Sequence, residues 1–199
     1  LEFSEKISKA GTQPIIGTQI NLIDNSEIGK ITLYAMTEKG YKNLTKLSSL
    51  SYLKNKEQNE PSCKIDDLIN NNEDLIILTG SYKNFFGKLF YANKTKRIKE
   101  ILAKLKISFK DRLYIEILRH GEDQELNYEN YLLELSSLCD LPLIASQEVY
   151  YIDPNMSEAH DALICIGEKQ FIDDPNRFRY SKYHYFRKND EIQKLYKDI

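Results

Sequence analysis

The sequence predicts an α/β domain built on a largely parallel sheet. Two observations carry that prediction. Short apolar runs alternate with stretches of helical periodicity, and most connections between them are short. Moreover, Asp74–Thr79 and Leu141–Ser146 read as short buried strands, the first of them wholly apolar, as strands do when helices cover both faces of a sheet.

Composition sets the limits. Of 199 residues, 41% are hydrophobic, so a core can be buried. The 28 basic and 30 acidic residues leave a formal charge of −2, unlike a free-standing DNA binder that works by counterion release. Apolar runs of a few residues are too short for a transmembrane helix, which needs roughly 20. Cys63, Cys139 and Cys165 lie far apart without a CxxC pair, which fits a reducing cytoplasm.

Taken in order, Leu1, Phe3, Ile7 and Ala10 fall at helical spacing, and Gly11 closes that helix. A chain that opens on Leu1 inside a helix, with no signal sequence, reads as an excised piece of a longer protein. Pro14–Ile23 alternates with β-branched residues and reads as a strand; Asp24–Gly29 is a polar turn; Ile31–Met36 completes a hairpin. Glu38–Leu53 places Tyr41, Leu44, Leu47, Leu50 and Leu53 on one helical face. Lys54–Pro61 is a short polar linker, and Ile65, Leu68 and Ile69 mark a short helix. After the strand Asp74–Thr79, Ile98, Ile101, Leu102 and Leu105 line a helix with a lysine-rich opposite face. Arg112–Leu118 is a strand, Tyr128–Cys139 a helix with Tyr131, Leu132, Leu135 and Leu138 inward, and Leu141–Ser146 a buried strand. Met156–Gly167 is a helix started after Asp153-Pro154. No boundary is marked, so one domain over residues 1–199 is expected. Pattern alone leaves an open sheet and a closed barrel equally available.

In either architecture ligands gather at the carboxyl ends of strands. Thr18-Gln19, Gly80-Ser81, Arg119-His120-Gly121 and Ser146–Tyr151 stand there. His120 and Glu148 are the firm metal-ligand types, too few for a tight site. His160 and His184 read as surface or packing residues, and Ser81 as a turn residue with no base placed beside it. Lys94, Lys96, Arg97, Lys99, Lys104 and Lys106 read as a solvated helix face rather than a phosphate site. The 14 tyrosines are spread through the elements and do not read as a base-stacking platform. GxGxxG, Walker A and GxSxG motifs are absent.

Seven segments resemble, in order, those of one family: Ala10–Gln19 (AGTQPIIGTQ), Glu38–Leu44 (EKGYKNL), Asp74–Gly80 (DLIILTG), Tyr114–Gly121 (YIEILRHG), Leu141–Tyr151 (LPLIASQEVYY), Glu158–Cys165 (EAHDALIC) and Asp173–Arg179 (DDPNRFR). The family is the polymerase and histidinol phosphatase (PHP) domain at the N-terminus of bacterial DNA polymerase III alpha subunits. The resemblance implies a distorted seven-stranded, TIM-like β/α barrel. It also implies that the opening strands, with an HxHxH-type segment, precede Leu1. The barrel is then truncated, with an open edge beside Ile15–Ile20 that is a liability for pairing. The last ~20 residues would lead toward the polymerase region, where nucleotidyl transfer by Mg-dependent two-metal catalysis resides.

Metal-binding relatives carry a hydrolytic or proofreading metal cluster on this rim. Position by position, the family glutamate is Gln19 here, the cysteine Ser81, the histidine is retained as His120, the aspartate is Glu148, and a second histidine is Tyr150. Gln19 lacks the charge, Ser81 is a poor ligand when un-ionised, and a phenol of pKa about 10 is protonated at neutral pH. Clustered divalent ions need anionic ligands to offset their repulsion. The resemblance therefore implies a degenerate metal site, no catalytic residue and no cofactor in this piece. The implied role is a scaffold that binds the rest of the alpha subunit and a proofreading exonuclease subunit, meeting DNA through the parent holoenzyme in the cytoplasm and no membrane. The alternative is an active metal-dependent phosphoesterase or 3′–5′ exonuclease, which would hold zinc or manganese. A third reading is nucleic-acid contact through the lysine-rich helix.

Overall fold

A computed structural model describes residues 2–54 and 60–199. Leu1 and most of the Lys54–Pro61 linker lie outside the described residues. Helix α1 (Glu2–Lys9) forms as its periodicity predicts but buries none of its residues. Gly11 ends it with φ +79°, a left-handed turn that glycine adopts without strain.

Strands β1 (Gly17–Asp24) and β2 (Glu27–Ala35) make the expected hairpin, antiparallel from Gly17↔Tyr34 to Asp24↔Glu27. Asn25 sits in its turn at φ +54°. Helix α2 (Glu38–Lys54) buries Gly40, Leu44, Leu47 and Ser51, whereas Tyr41 and Leu53 of the predicted inner face are exposed. Beyond it come β3 (Ser62–Lys64), α3 (Ile65–Ile69) and β4 (Leu75–Leu78). Helices α4 (Phe85–Tyr91) and α5 (Thr95–Phe109) precede β5 (Leu113–Leu118). Then follow α6 (Glu125–Cys139), β6 (Leu143–Ser146), α7 (Ser157–Glu168) and α8 (Asn189–Leu195). Asp153 starts the turn before α7 by accepting the Asn155 amide at 2.8 Å.

The sheet has six strands in the order β3-β1-β2-β4-β5-β6. It is mixed, which corrects the largely parallel expectation. Strand β2 returns through a tight turn, so it runs against β1 on one side and β4 on the other, while β3 lies parallel to β1 and β5 parallel to β4. The sheet is open, with β3 and β6 at its ends, so the seven-stranded barrel of the resemblance is not closed among the described residues; an open edge is what the truncated barrel leads one to expect. Strand β3 covers the outer side of β1 at Asn21–Ile23, beyond Gly17–Ile20. Strand β6, attached where the Ile115 amide donates to the Pro142 carbonyl at 2.9 Å, is exposed rather than buried; Leu143 and Ile144 are each 38% accessible. An end strand lacks a neighbour on one side, so its apolar sequence does not guarantee burial.

Contacts gather into two compact units, Leu1–Glu116 with Tyr131–Ile144, and Ile117–Asn130 with Ala145–Ile199. The first unit's core is made by Leu22, Ile31, Leu33, Leu47, Ile77 and Leu89 with Phe85, Phe86 and Phe109, all essentially inaccessible. Helix α5 buries Ile98, Ile101, Leu102, Leu105 and Phe109. Part of its cationic face is paired: Arg97 grips Asp24 with two bonds of 2.6 and 2.7 Å, Lys94 meets Glu27 at 2.6 Å, and Lys106 reaches the Cys139 and Asp140 carbonyls at 2.8 Å. Beside Arg97 lies a cleft of about 420 Å³ lined by both charge signs, Asp24 and Asp66 against Lys64 and Lys104.

The second unit is tied together by side chains that bond to backbone carbonyls. Arg119 binds both oxygens of Glu129, both oxygens of Asp198 and the Leu195 carbonyl, and its guanidinium lies 5.0 Å from the Tyr196 ring centroid. The Tyr196 hydroxyl is in reach of the carbonyls of Ile117 (3.2 Å) and Ser146 (2.9 Å). Burial pushes the Tyr196 phenol up to about 12, against about 10 in an unfolded chain. The fold holds the neutral form, so that contribution is whole below pH 10 and is lost as pH rises through 12. Urea midpoints should therefore fall between pH 10 and 12, and Tyr196→Phe should show the smaller fall; equal falls would contradict this reading.

Candidate functional site

In the first unit, Gln19 and Ser81 occupy local roles. Gln19 lies exposed on β1 opposite Thr32, and its Nε2 donates to Thr32 Oγ1 at 3.3 Å. Ser81 follows Gly80, which takes φ +81°. The Ser81 carbonyl accepts the Asn84 amide at 3.0 Å and its hydroxyl reaches Asn84 Oδ1 at 3.4 Å. Ser81 is thus a turn residue, as its sequence context predicts.

The second unit brings His120, Glu148 and Tyr150 together. His120 leaves the end of β5 and is 2% exposed. Its Nδ1 stands 3.3 Å from Glu125 Oε1, and its Nε2 accepts the Glu148 backbone amide at 3.1 Å. These partners assign the tautomer with the proton on Nδ1. His184 stacks on His120, ring centroids 4.1 Å apart and planes within 5°. It is 1% exposed, and its Nδ1 faces the Glu148 carbonyl at 3.3 Å. Both peptide groups of Glu148 are therefore engaged, the amide by one imidazole and the carbonyl by the other. His184 Nε2 is buried with no hydrogen-bond partner among the described residues, and Glu122 Oε1 lies 3.9 Å away.

Tyr150 closes the cluster. Its hydroxyl donates to Glu148 Oε2 at 3.4 Å. Burial, then hydrogen bonding to Tyr180 and the Glu148 charge, pushes its phenol far above the ordinary range, so it remains protonated. Its ring packs against His160, Tyr180 and His184 at centroid distances of 5.4, 4.4 and 5.1 Å. All three histidines of the chain thus join one aromatic cluster. The packing role read for His160 and His184 agrees with this. Their partnership with His120 is not visible in sequence, because His184 lies 64 positions from His120 without a motif.

Hydrogen bonds within each unit occupy these groups: in the second unit His120 Nε2 receives the Glu148 amide and the Tyr150 hydroxyl donates to Glu148, and in the first unit Gln19 bonds to Thr32 and Ser81 to Asn84. Among the described residues, no three His, Cys, Asp or Glu side chains are arranged to hold a metal.

Comparison with known families shows the class: the chain belongs to the PHP domain family, which matches it over residues 1–120. It is homologous to DNA polymerase III alpha subunits. Over 207 residues it is 34% identical to the DNA polymerase III subunit alpha of Caulobacter vibrioides, all of this chain aligning with 18% of that protein. For the Rickettsia prowazekii subunit the identity is 34% over 200 residues, covering 100% of this chain and 17% of the relative. For the Escherichia coli K12 subunit it is 32% over 194 residues, covering 96% and 17%. The chain thus spans less than a fifth of the length of these relatives.

Proposed function

We propose that the chain serves as the PHP domain of a replicative DNA polymerase III alpha subunit, and that it acts in the cytoplasm as a structural and partner-binding scaffold with a degenerate metal site. The observation that carries this reading is the use of His120 Nε2 as acceptor for the Glu148 amide. A metal ligand there would have to break that bond and leave a donor unpaired, at a cost of about 1–3 kcal/mol. The surface would bind the remainder of the alpha subunit and a separate proofreading exonuclease subunit, and the parent holoenzyme would meet the DNA.

The test is metal content with activity. After exposure to excess manganese or zinc and gel filtration, elemental analysis is expected to give well under one ion per chain. EDTA should leave the melting temperature unchanged, and an end-labelled oligonucleotide with manganese should stay intact. Two or more retained ions with nucleotide release would overturn the scaffold in favour of a metal-dependent phosphoesterase or exonuclease. Co-elution with a purified proofreading exonuclease subunit tests the partner.

A further inference from the structure

Residues 177–188, RFRYSKYHYFRK, hold five of the chain's 28 basic residues and none of its 30 acidic ones. Five phenylalanines and tyrosines are interleaved with them. The segment lies wholly in the second unit and forms no helix; the Tyr150 amide donates to the His184 carbonyl and the Phe186 amide to the Tyr151 carbonyl, both at 2.9 Å.

Two arginines anchor it. Arg177 is buried and grips both oxygens of Asp161. Arg187 is buried, donates to the Arg119 carbonyl at 2.9 Å, and lies 5.7 Å from the ring centroids of both Tyr183 and Tyr185. The other three cations, Arg179, Lys182 and Lys188, are exposed. So are three rings: Phe178 at 47%, Tyr183 at 40% and Phe186 at 63%. Each exposed ring is thus next to, or two positions from, an exposed cation. The Phe178 ring is braced edge-on by Tyr180 at 4.7 Å, and Tyr180 packs on Tyr150 at 4.4 Å. Tyr183 is seated over Gly121, where an added Cβ would come within 3.1 Å of the ring.

We infer that this strap is a binding site for single-stranded nucleic acid, with bases stacking on Phe178, Tyr183 and Phe186 and phosphates meeting Arg179, Lys182 and Lys188. Aromatic rings interleaved with exposed cations, of which Arg179 also donates to the Ile172 carbonyl at 3.3 Å and Lys182 lies 5.4 Å from the Tyr183 ring centroid, are the chemistry that engages bases and backbone together without reading sequence. An acidic peptide would use the cations and leave three aromatic faces in water. A lipid surface would favour an amphipathic helix with aliphatic residues, and 177–188 has neither. The site differs from the lysine-rich face of α5, part of whose charge is spent on Asp24, Glu27 and carbonyls. It is independent of the metal question, so it can fail while the scaffold stands.

The probe is a fluorescein-labelled oligothymidylate of about twenty nucleotides, titrated with the 199-residue chain and followed by anisotropy. Saturable binding is expected, with log K falling against log salt at a slope of about −2 for three neutralised phosphates on a single strand. Removing all three cations in Arg179→Ala/Lys182→Ala/Lys188→Ala should flatten that slope. Phe178→Ala or Phe186→Ala should each weaken binding about fivefold or more without altering the slope. Unchanged melting temperatures would show that these exposed replacements leave the fold intact. The pair Lys96→Ala/Lys99→Ala should bind like the parent. The proposal is overturned if no binding is seen at low salt, if the α5 pair carries the loss, or if phosphatidylserine vesicles bind and the oligonucleotide does not.

Discussion

His120→Ala is expected to lower the unfolding free energy by about 3 kcal/mol, read from urea midpoints at pH 7. The side chain is 2% exposed, so its loss opens a space that neighbours cannot refill with water contact. The Glu148 amide loses its acceptor, and an unpaired part-buried donor costs about 1–3 kcal/mol by itself. The His184 ring loses its stacking partner. Glu125 is cushioned, because it also accepts the amides of His120 and Glu122 at 2.7 and 3.2 Å. His120→Gln, whose carbonyl oxygen can take the Glu148 amide, should recover part of the loss. The comparison with EDTA gives the result its meaning. If His120 held a metal, chelation would reproduce the alanine variant; the scaffold reading expects chelation to do nothing. A loss below about 1 kcal/mol would remove the histidine pair as an organiser of the second unit.

Gly87→Ala is expected to cost about 3 kcal/mol or more, although alanine favours a helix interior by roughly 1 kcal/mol over glycine. Gly87 is buried in α4, and a Cβ there would lie 2.1 Å from the Tyr82 carbonyl oxygen and 2.3 Å from the Tyr82 Cα and carbonyl carbon. Those are backbone atoms of the turn that carries Ser81, so they cannot swing aside as a side chain would. The helix must move off the turn or the turn must open. Gly167 in α7 is the matched control: an added Cβ meets nothing within 4 Å. Gly167→Ala should be neutral or stabilising by up to about 1 kcal/mol. The opposite order of the two variants in thermal melts would refute the steric account.

What the sequence made legible follows from how local each signal is. The β1–β2 hairpin was readable because alternation and a polar turn are both local, and β4 and β5 because their apolar runs are bounded by turn residues. The three-residue β3 was too short to show a period. Helix α4, FFGKLFY, is apolar almost all round and shows no face. Strand β6 misled because an apolar run does not reveal whether the chain supplies a second neighbour. In α6, Leu132 and Leu135 are buried as expected, whereas Leu138 near its end is 63% exposed. At the site, His120, Glu148 and Tyr150 could be singled out from sequence, and the structure brings these three together. The hydrogen bonds of His120 and His184 to the Glu148 peptide groups could not, because the partners are backbone groups and a distant histidine. The Arg119–Glu129–Asp198 network was likewise hidden, since Asp198 lies 79 positions from Arg119.

That long reach has a bearing on synthesis. The carbonyls of Ile117, Arg119 and His120 emerge from the ribosome early, yet their donors Ser181, Arg187 and Tyr196 are translated 61 to 79 residues later. Until the final stretch leaves the exit tunnel, the second unit lacks the latch that fastens its two stretches of chain. A nascent polypeptide halted before Tyr196 should therefore present a finished first unit and a protease-sensitive second one.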